Sequence, residues 1–324
     1  MRAALLETHG GPLRLTEAPR PAPGPGEVLV RVRASAVNPL DLKIRAGQAA
    51  HARHPPPAIL GIDLAGVVEA VGGGVEGFAP GARVFGMTGG VGGTAGSLAE
   101  FAAADARLLA PMPATLDFRQ AAALPLVFIT AWEGLVDRAR VSAGDQVLVI
   151  GAGGVGHMAI QIARALGADV FAVDGAAKAG RIRGWGATPI DRTRKVEDYV
   201  AEHTGGAGFD IAYDTVGGAG LDLAFQAVRR FGHAVSCLGW GSHALAPLSF
   251  KGASYSGVFT LLPLLTGQGR EHHGEILRQA AQLADAGRLV PSLDPRRFRL
   301  AEVEAAHRAQ AESAAGKLVV EIGD

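Results

Sequence analysis

The sequence predicts an α/β chain of two domains, a mostly-β, turn-rich first third followed by a doubly wound parallel sheet. Three observations carry this. Apolar residues alternate at period two early on, strands and helices alternate strictly from about residue 126, and a G-x-G-x-x-G turn joins the first strand and helix of that second pattern. At 324 residues the chain can form two cores of ordinary domain size. The expected domains are 1–125 completed by 263–324, and 126–262.

Pro21–Gly26 is a stiff turn leading into the first clear strand, where Val28, Val30, Val32 and Ala34 alternate with Leu29, Arg31, Arg33 and Ser35. That pattern predicts a half-buried strand. Ala65–Val71 is a second strand, stopped by Gly72–Gly74, and Ala82–Phe85 a third, following the Pro80-Gly81 turn. Gly86–Gly96 is too rich in glycine for regular structure and is expected to be a mobile surface loop, with a lid beside a pocket as the alternative. Val147–Ile150 is a short apolar run of the kind found in buried parallel strands. Val155, Met158, Ala159, Ile162, Ala163 and Leu166 then fall at helical spacing, with Gly167 as the stop. Val170–Val173 is a strand ending at Asp174, and Phe209–Tyr213, His233–Cys237 and Gly257–Phe259 supply further strands. Glu275–Leu283 as helix and Lys317–Ile322 as strand are expected to return to the first domain.

Composition narrows the function. The 31 basic and 31 acidic residues cancel, so neither nucleic acid nor an anionic membrane is expected as a partner. A single cysteine, Cys237, excludes a disulfide framework and a multi-cysteine metal cluster. The uncharged runs near 121–132 and 253–269 are broken by Pro125, Pro263 and glycines and fall short of the roughly 18–20 apolar residues of a membrane helix. Glu7 interrupts the first apolar stretch too early for a secretory signal, so a cytoplasmic protein is expected.

The glycine turn has the right context for a dinucleotide. Gly151, Gly153 and Gly156 follow a buried strand and open an amphipathic helix, with Gly154 and Val155 at its first positions. The tight turn needs Gly151, close approach of a pyrophosphate needs Gly153, and close helix–strand packing needs Gly156, while the helix N-terminus offers N–H groups to the anion. Asp174 arrives one strand later, positioned to accept hydrogen bonds from the adenosine ribose. Its charge would repel a 2′-phosphate, which favours NADH over NADPH. Lys178, Arg181 and Arg183 just downstream could instead hold that phosphate, or form a solvated helix face.

With these motifs in view, the chain resembles the medium-chain dehydrogenase/reductase superfamily over essentially its full length. The matching segments are the Pro-Gly-Glu-Val strand, Gly61–Gly66, Phe78–Val84, Leu124-Pro125-Leu126, Thr130–Leu135, the nucleotide turn and Gly316-Lys317-Leu318-Val319. It looks most like the zinc-free quinone oxidoreductase group that includes zeta-crystallin. The resemblance implies a GroES-like catalytic domain, a Rossmann domain and a cofactor cleft between them. Zinc members of the superfamily use cysteine and histidine ligands. Here the corresponding segments read Ala36-Val37-Asn38-Pro39-Leu40-Asp41 and Gly61-Ile62-Asp63, which supply neither, so no zinc is expected. His51 and His54, beside a triple proline, read as loop residues.

Without a Lewis acid an isolated ketone lacks its strongest electrophile, whereas a quinone or enone delocalises the charge that hydride brings. The expected chemistry is therefore hydride transfer from a nicotinamide to a quinone or an activated C=C. Lys43 is a candidate oxyanion stabiliser, with Asp41 holding it or helping shape the pocket wall, and the resemblance places Asn38 near the nicotinamide as a hydrogen-bond donor. It also places Thr130 by the nicotinamide or its ribose. Gly239, Trp240 and Phe259 fall at carboxyl ends of predicted strands, where ligands bind in such sheets. No tyrosine precedes Tyr199, so a phenolic proton donor from the first domain is excluded and solvent is left to protonate the product. The resemblance further implies a homodimer through Rossmann edge strands near Gly257–Thr260, where Val258–Leu262 would otherwise expose an apolar edge. A non-catalytic nucleotide-binding sensor or structural protein is the rival from another class, and a zinc alcohol dehydrogenase the rival among enzymes.

Overall fold

The computed structural model describes residues 1–312 and 314–323. Its contacts divide the chain into one unit of Met1–Leu126 with Leu261–Asp324 and a second of Val127–Thr260.

The first unit begins with β1 (Arg2–Leu6), β2 (Leu13–Glu17), β3 (Glu27–Val37), α1 (Pro39–Arg45), β4 (Ala58–Ile59), β5 (Asp63–Val71), β6 (Arg83–Met87), β7 (Phe101–Asp105), β8 (Leu109–Pro111) and α2 (Phe118–Ala122). The eleven-residue β3 organises this unit. It pairs antiparallel with β5 and β7, and register shifts at Leu29/Val30 and Val32/Ala34 mark irregularities of the bulge type that bend such a strand. Alternation predicted one buried face, but Leu29 and Ser35 on the other face are buried too, and Ser35 Oγ lies 2.7 Å from Ser97 Oγ.

The glycine-rich stretch after Phe85 also departs from expectation. Gly86 and Met87 belong to β6, Thr88–Val91 and Gly96 are buried, and only 92–95 are exposed. Glycine is needed here for close approach. A Cβ on Gly90 would lie 2.8 Å from the Gly61 carbonyl oxygen, and one on Gly96 would fall onto Leu60 backbone.

The second unit runs α3 (Pro125–Trp132), a π-helical turn (Glu133–Arg138), β9 (Gln146–Ile150), α4 (Gly154–Ala165), β10 (Asp169–Asp174), α5 (Ala179–Gly184), β11 (Thr188–Asp191), α6 (Val196–Thr204), β12 (Phe209–Asp214), α7 (Ala219–Ala227), β13 (Val228–Ser236), α8 (Ala246–Lys251) and β14 (Ser254–Gly257). All six strands are parallel, in the order β11-β10-β9-β12-β13-β14. The order reverses between β9 and β12, where a dinucleotide straddles such a sheet. Leu148, Ile150, Val173, Tyr199, Phe209, Phe225 and Val228 belong to its core. The edge strand β14 ends at Gly257, and of the apolar run beyond it that the sequence suggested would be exposed, Val258 and Leu261 are buried while Leu262 is exposed.

The chain then returns to the first unit with α9 (Leu262–Thr266), α10 (Arg270–Asp285), β15 (Phe298–Arg299), α11 (Val303–Glu312) and β16 (Leu318–Glu321). β16 lies between β15 and β3, so the seven-stranded sheet runs β15-β16-β3-β5-β6-β8 with β7 also on β3. Among the described residues no helix is long and apolar enough to cross a membrane.

Candidate active site

β9 ends in a turn built by backbone economy. Gly151 has φ +90 and donates to the Val173 carbonyl at 2.9 Å, and a Cβ on it would lie 2.5 Å from Val216 Cγ2. The Thr215 hydroxyl closes the turn, reaching the Ile150 and Gly151 carbonyls at 3.0 and 2.9 Å. A Cβ on Gly156 would fall onto the Gly151 carbonyl oxygen. Gly153 is different: a Cβ there would meet no protein atom within 4 Å. The fold does not require glycine at 153, but an anion approaching the backbone would. No side chain caps α4 at Gly153, so the first N–H groups of this twelve-residue helix are left for such an anion. These residues fit a dinucleotide.

Asp174 folds back onto this turn. Its Oδ2 accepts from Ala152 N–H at 2.7 Å and Lys178 Nζ at 2.9 Å, and its Oδ1 from Gly175 N–H at 2.7 Å. Partial burial opposes ionisation, but Lys178 and the two N–H donors outweigh it and hold the carboxyl below its ordinary range. The carboxylate keeps acceptor capacity for a ribose hydroxyl. Its charge, however, is paired. Arg192, which the sequence reading did not single out, lies close by: its backbone N–H donates to the Asp174 carbonyl at 3.0 Å, and its Nε lies 3.8 Å from where a Gly175 Cβ would be. Arg181 and Arg183 lie exposed on α5.

At the carboxyl ends of β12–β14 the buried Asp214 accepts from the Val216 and Gly217 N–H groups, each at 3.0 Å, and from Ser236 Oγ at 2.7 Å. This Asp-Thr-Val-Gly turn braces the glycine turn. Its only sequence signal is an acid closing a buried strand. A Cβ on Gly239 would fall onto the Tyr255 hydroxyl, and Trp240 stands edge-on to Phe259 at 5.8 Å. Burial, and then the Asp214 charge, push the Cys237 thiol up to about 12, which keeps it protonated at neutral pH.

α3 passes over the nucleotide turn, with Val127 Cγ1 3.2 Å from where a Gly154 Cβ would be. Thr130, buried one turn on, gives its carbonyl to the Tyr213 hydroxyl at 2.7 Å. Glu133 Oε2 accepts from Thr260 Oγ1 at 2.5 Å.

In the first unit, β3 delivers Asn38 as the N-cap of α1. Asp41 reaches back to accept Asn38 N–H at 2.7 Å and also takes Gly61 N–H at 3.3 Å. The Asn38 amide turns instead to Asp63, donating from Nδ2 to Oδ2 at 3.0 Å, and accepts from Lys317 Nζ at its Oδ1. Lys317 Nζ stands 3.7 Å from Asp63 Oδ2, while Asp63 Oδ1 takes Leu126 N–H at 2.8 Å, at the start of α3. All four side chains are buried. Burial, helped by the Asp63 charge, pushes Asp41 up to about 7 against the opposing pull of its backbone donors and Lys317. Burial also raises Asp63 against the pull of Lys317, and burial lowers Lys317.

This corrects the expected pairing. Lys43 is exposed in the last turn of α1, and Asp41 binds backbone N–H groups instead of holding it. The lysine of the cluster is Lys317, with Asp63 between it and α3. Asp41 binds its proton more tightly folded than unfolded, so its contribution to stability is full below its unfolded value of 3.8, declines above it and is lost as pH rises through about 7. Asp41→Asn is expected to flatten the fall in unfolding free energy over that interval, measured by urea titration at stepped pH. An unchanged slope would place the proton elsewhere.

A zinc ion does not fit here. Ile62 is fully buried, the carboxylates are bonded to the chain's own donors, and among the described residues no group of three or more His, Cys, Asp or Glu side chains could hold a metal. His51 is exposed, and the buried His54 bonds through Nε2 to the Ile59 carbonyl at 3.0 Å.

A glycine turn at the switch point of a doubly wound sheet, joined to a separate mostly-β unit, defines a pyridine-nucleotide oxidoreductase fold. Residues 24–114 match the alcohol dehydrogenase GroES-like domain and residues 154–265 the zinc-binding dehydrogenase family. The chain is similar to the crystal structure of an alcohol dehydrogenase superfamily protein from Novosphingobium aromaticivorans, at 57% identity and TM-score 0.99 over 100% of both chains. It is 36% identical over 302 residues to the spectinabilin polyketide synthase system protein NorB of Streptomyces orinoci, covering 91% of this chain and 13% of that protein. It is 43% identical over 180 residues to the quinone oxidoreductase of Rattus norvegicus, 54% of this chain and 53% of that one. The chain thus spans a small part of the polyketide synthase protein and about half of the rat enzyme. It belongs to the alcohol dehydrogenase superfamily of medium-chain dehydrogenase/reductases, with a GroES-like domain and a Rossmann domain.

Proposed function

We propose that the protein transfers hydride from NADH or NADPH to a quinone or an enone, without a metal. The observation that carries this reading is the closed Asn38–Asp41–Asp63–Lys317 cluster, where zinc relatives would need ligands and this chain offers only groups already bonded to one another. The reduced nicotinamide supplies the hydride. The chain's part is to seat the pyrophosphate on Gly151–Gly156, orient the adenosine side at Asp174 and Lys178, and enclose the nicotinamide side with Thr130, Gly239 and Phe259. The acceptor must carry its own electron sink: hydride adds to the far carbon of the enone and water protonates the enolate, or hydride and a proton convert a quinone to its hydroquinone. Asn38 spends one Nδ2 hydrogen on Asp63 and its Oδ1 on Lys317, and its second amide hydrogen is the proposed donor to the acceptor's oxygen.

Oxidation of NADH by 1,2-naphthoquinone and by a small enone, followed by stopped flow after chelator treatment, is expected to proceed undiminished. Turnover that depends on a divalent ion would favour the zinc rival. Binding of NADH with no turnover across a broad panel would favour a sensor.

The nucleotide preference follows from the ion pair at Asp174. Pairing with Lys178 removes much of the repulsion a 2′-phosphate would meet, so both nucleotides are expected to serve. Lys178→Ala bares the carboxylate, and kcat/KM for NADPH is expected to fall about tenfold while that for NADH changes little. Equal losses for both would show that Lys178 serves the turn and not the phosphate. We also infer a cytoplasmic homodimer paired through the free edge of β14. Light scattering giving a single chain mass at micromolar concentration would end that inference.

A further inference from the structure

We propose that Tyr213 and Glu133 are positioning residues for the nicotinamide half of the cofactor, acting through the π-helical turn at Glu133–Arg138. The inference rests on the reading that a nicotinamide dinucleotide binds at the glycine turn. The strand order reverses between β9 and β12, so with Asp174 on the β10 side the other half of a dinucleotide falls at the carboxyl ends of β12–β14. The helix after Leu126 travels to that place. Val127 passes the nucleotide turn, Thr130 follows, and Glu133 meets Thr260 just beyond β14.

The helix does not arrive there as a plain α-helix. In an α-helix the Thr130 carbonyl would accept the Gly134 N–H. The Tyr213 hydroxyl also donates to that carbonyl, at 2.7 Å, and past it the ladder runs one residue wider, with Ala139 N–H on the Gly134 carbonyl at 3.0 Å. A side chain inserted into the ladder is an identified cause of such a break. Gly134 makes room for it, since a Cβ there would stand 2.6–2.7 Å from Tyr213 Cζ, Cε1 and the hydroxyl. Burial holds the phenol well above its ordinary range, so the hydroxyl remains a donor at any working pH. The extra residue in the turn sets the phase at which Glu133 faces Thr260. One strand residue thereby fixes the position of Thr130 and, through Glu133, of the Phe259–Thr260 segment.

The test compares NADH with ADP-ribose, which lacks the nicotinamide, on the intact chain. Tyr213→Phe keeps the ring and deletes the hydroxyl. ADP-ribose affinity is expected to stay within about twofold of wild type, while NADH affinity falls about fivefold to tenfold and the fluorescence change of bound NADH shrinks. Glu133→Gln, which keeps the shape and weakens the bond to Thr260, is expected to shift the same ratio less. If either folded variant keeps the wild-type ratio of the two affinities, that residue does not position the nicotinamide. A parallel loss of both ligands in Tyr213→Phe would mean a purely structural tyrosine and also overturns the proposal. Wild-type protein that binds ADP-ribose as well as NADH would overturn the nicotinamide reading itself.

Discussion

Lys317→Met is expected to lower the unfolding free energy by about 3–5 kcal/mol, because it leaves buried carboxylates without their cation. Lys317 is 8% exposed, and Asp41 and Asp63 are essentially inaccessible, so water cannot replace the lost charge. The expected response is protonation of Asp63 as well as Asp41, which shifts the pH of greatest stability downwards. Urea unfolding at several pH values measures both. The double variant Lys317→Met, Asp63→Asn should recover part of the loss, since it removes a charge together with its partner. A loss below about 1 kcal/mol for Lys317→Met alone would mean the cluster stays hydrated in solution.

Gly156→Val and Gly153→Ala are expected to separate folding from binding within one six-residue turn. At Gly156 the added Cβ would strike the Gly151 carbonyl oxygen, a backbone atom with no flexible tip to yield. The turn must open, and NADH affinity should fall at least about a hundredfold, with a lower thermal midpoint. At Gly153 the added methyl meets no protein atom. The midpoint without ligand should hold, while NADH affinity falls about tenfold or more because the methyl occupies the pyrophosphate's approach. Fluorescence titration and thermal unfolding read the two quantities. Unchanged affinity in Gly153→Ala would remove the pyrophosphate from that position.

The nucleotide turn was legible because its chemistry is local. A strand, three glycines, an amphipathic helix and an acid at the next strand end lie within one short stretch, and each is demanded by backbone geometry. Asn38 and Asp41 were named as candidates beside the family resemblance, which says nothing of the capping pair they form in the structure. Their partners were not. Lys317 stands 279 residues from the asparagine it bonds, and no local pattern ties a lysine before the final strand to an acid at the start of β5. Proximity in sequence pointed to Lys43, which the helix turns outward. The π turn was invisible for the same reason, since its cause is a hydroxyl 83 residues away. The Gly86–Gly96 stretch misled in the opposite sense, because glycine there serves tight packing against Leu60–Gly61 and not freedom of movement.

The insertion of β16 between β15 and β3 carries a consequence for biosynthesis. The nucleotide-binding unit is one unbroken run of chain and can acquire its form while the ribosome is still working. The sheet of the other unit must wait, open along β3 and with two acids lacking their ammonium, until residues made after all of Val127–Thr260 have emerged. Completion of the first unit is therefore timed by translation of Lys317–Glu321, and a transcript cut short before that segment should yield a folded second unit beside an unfinished first one.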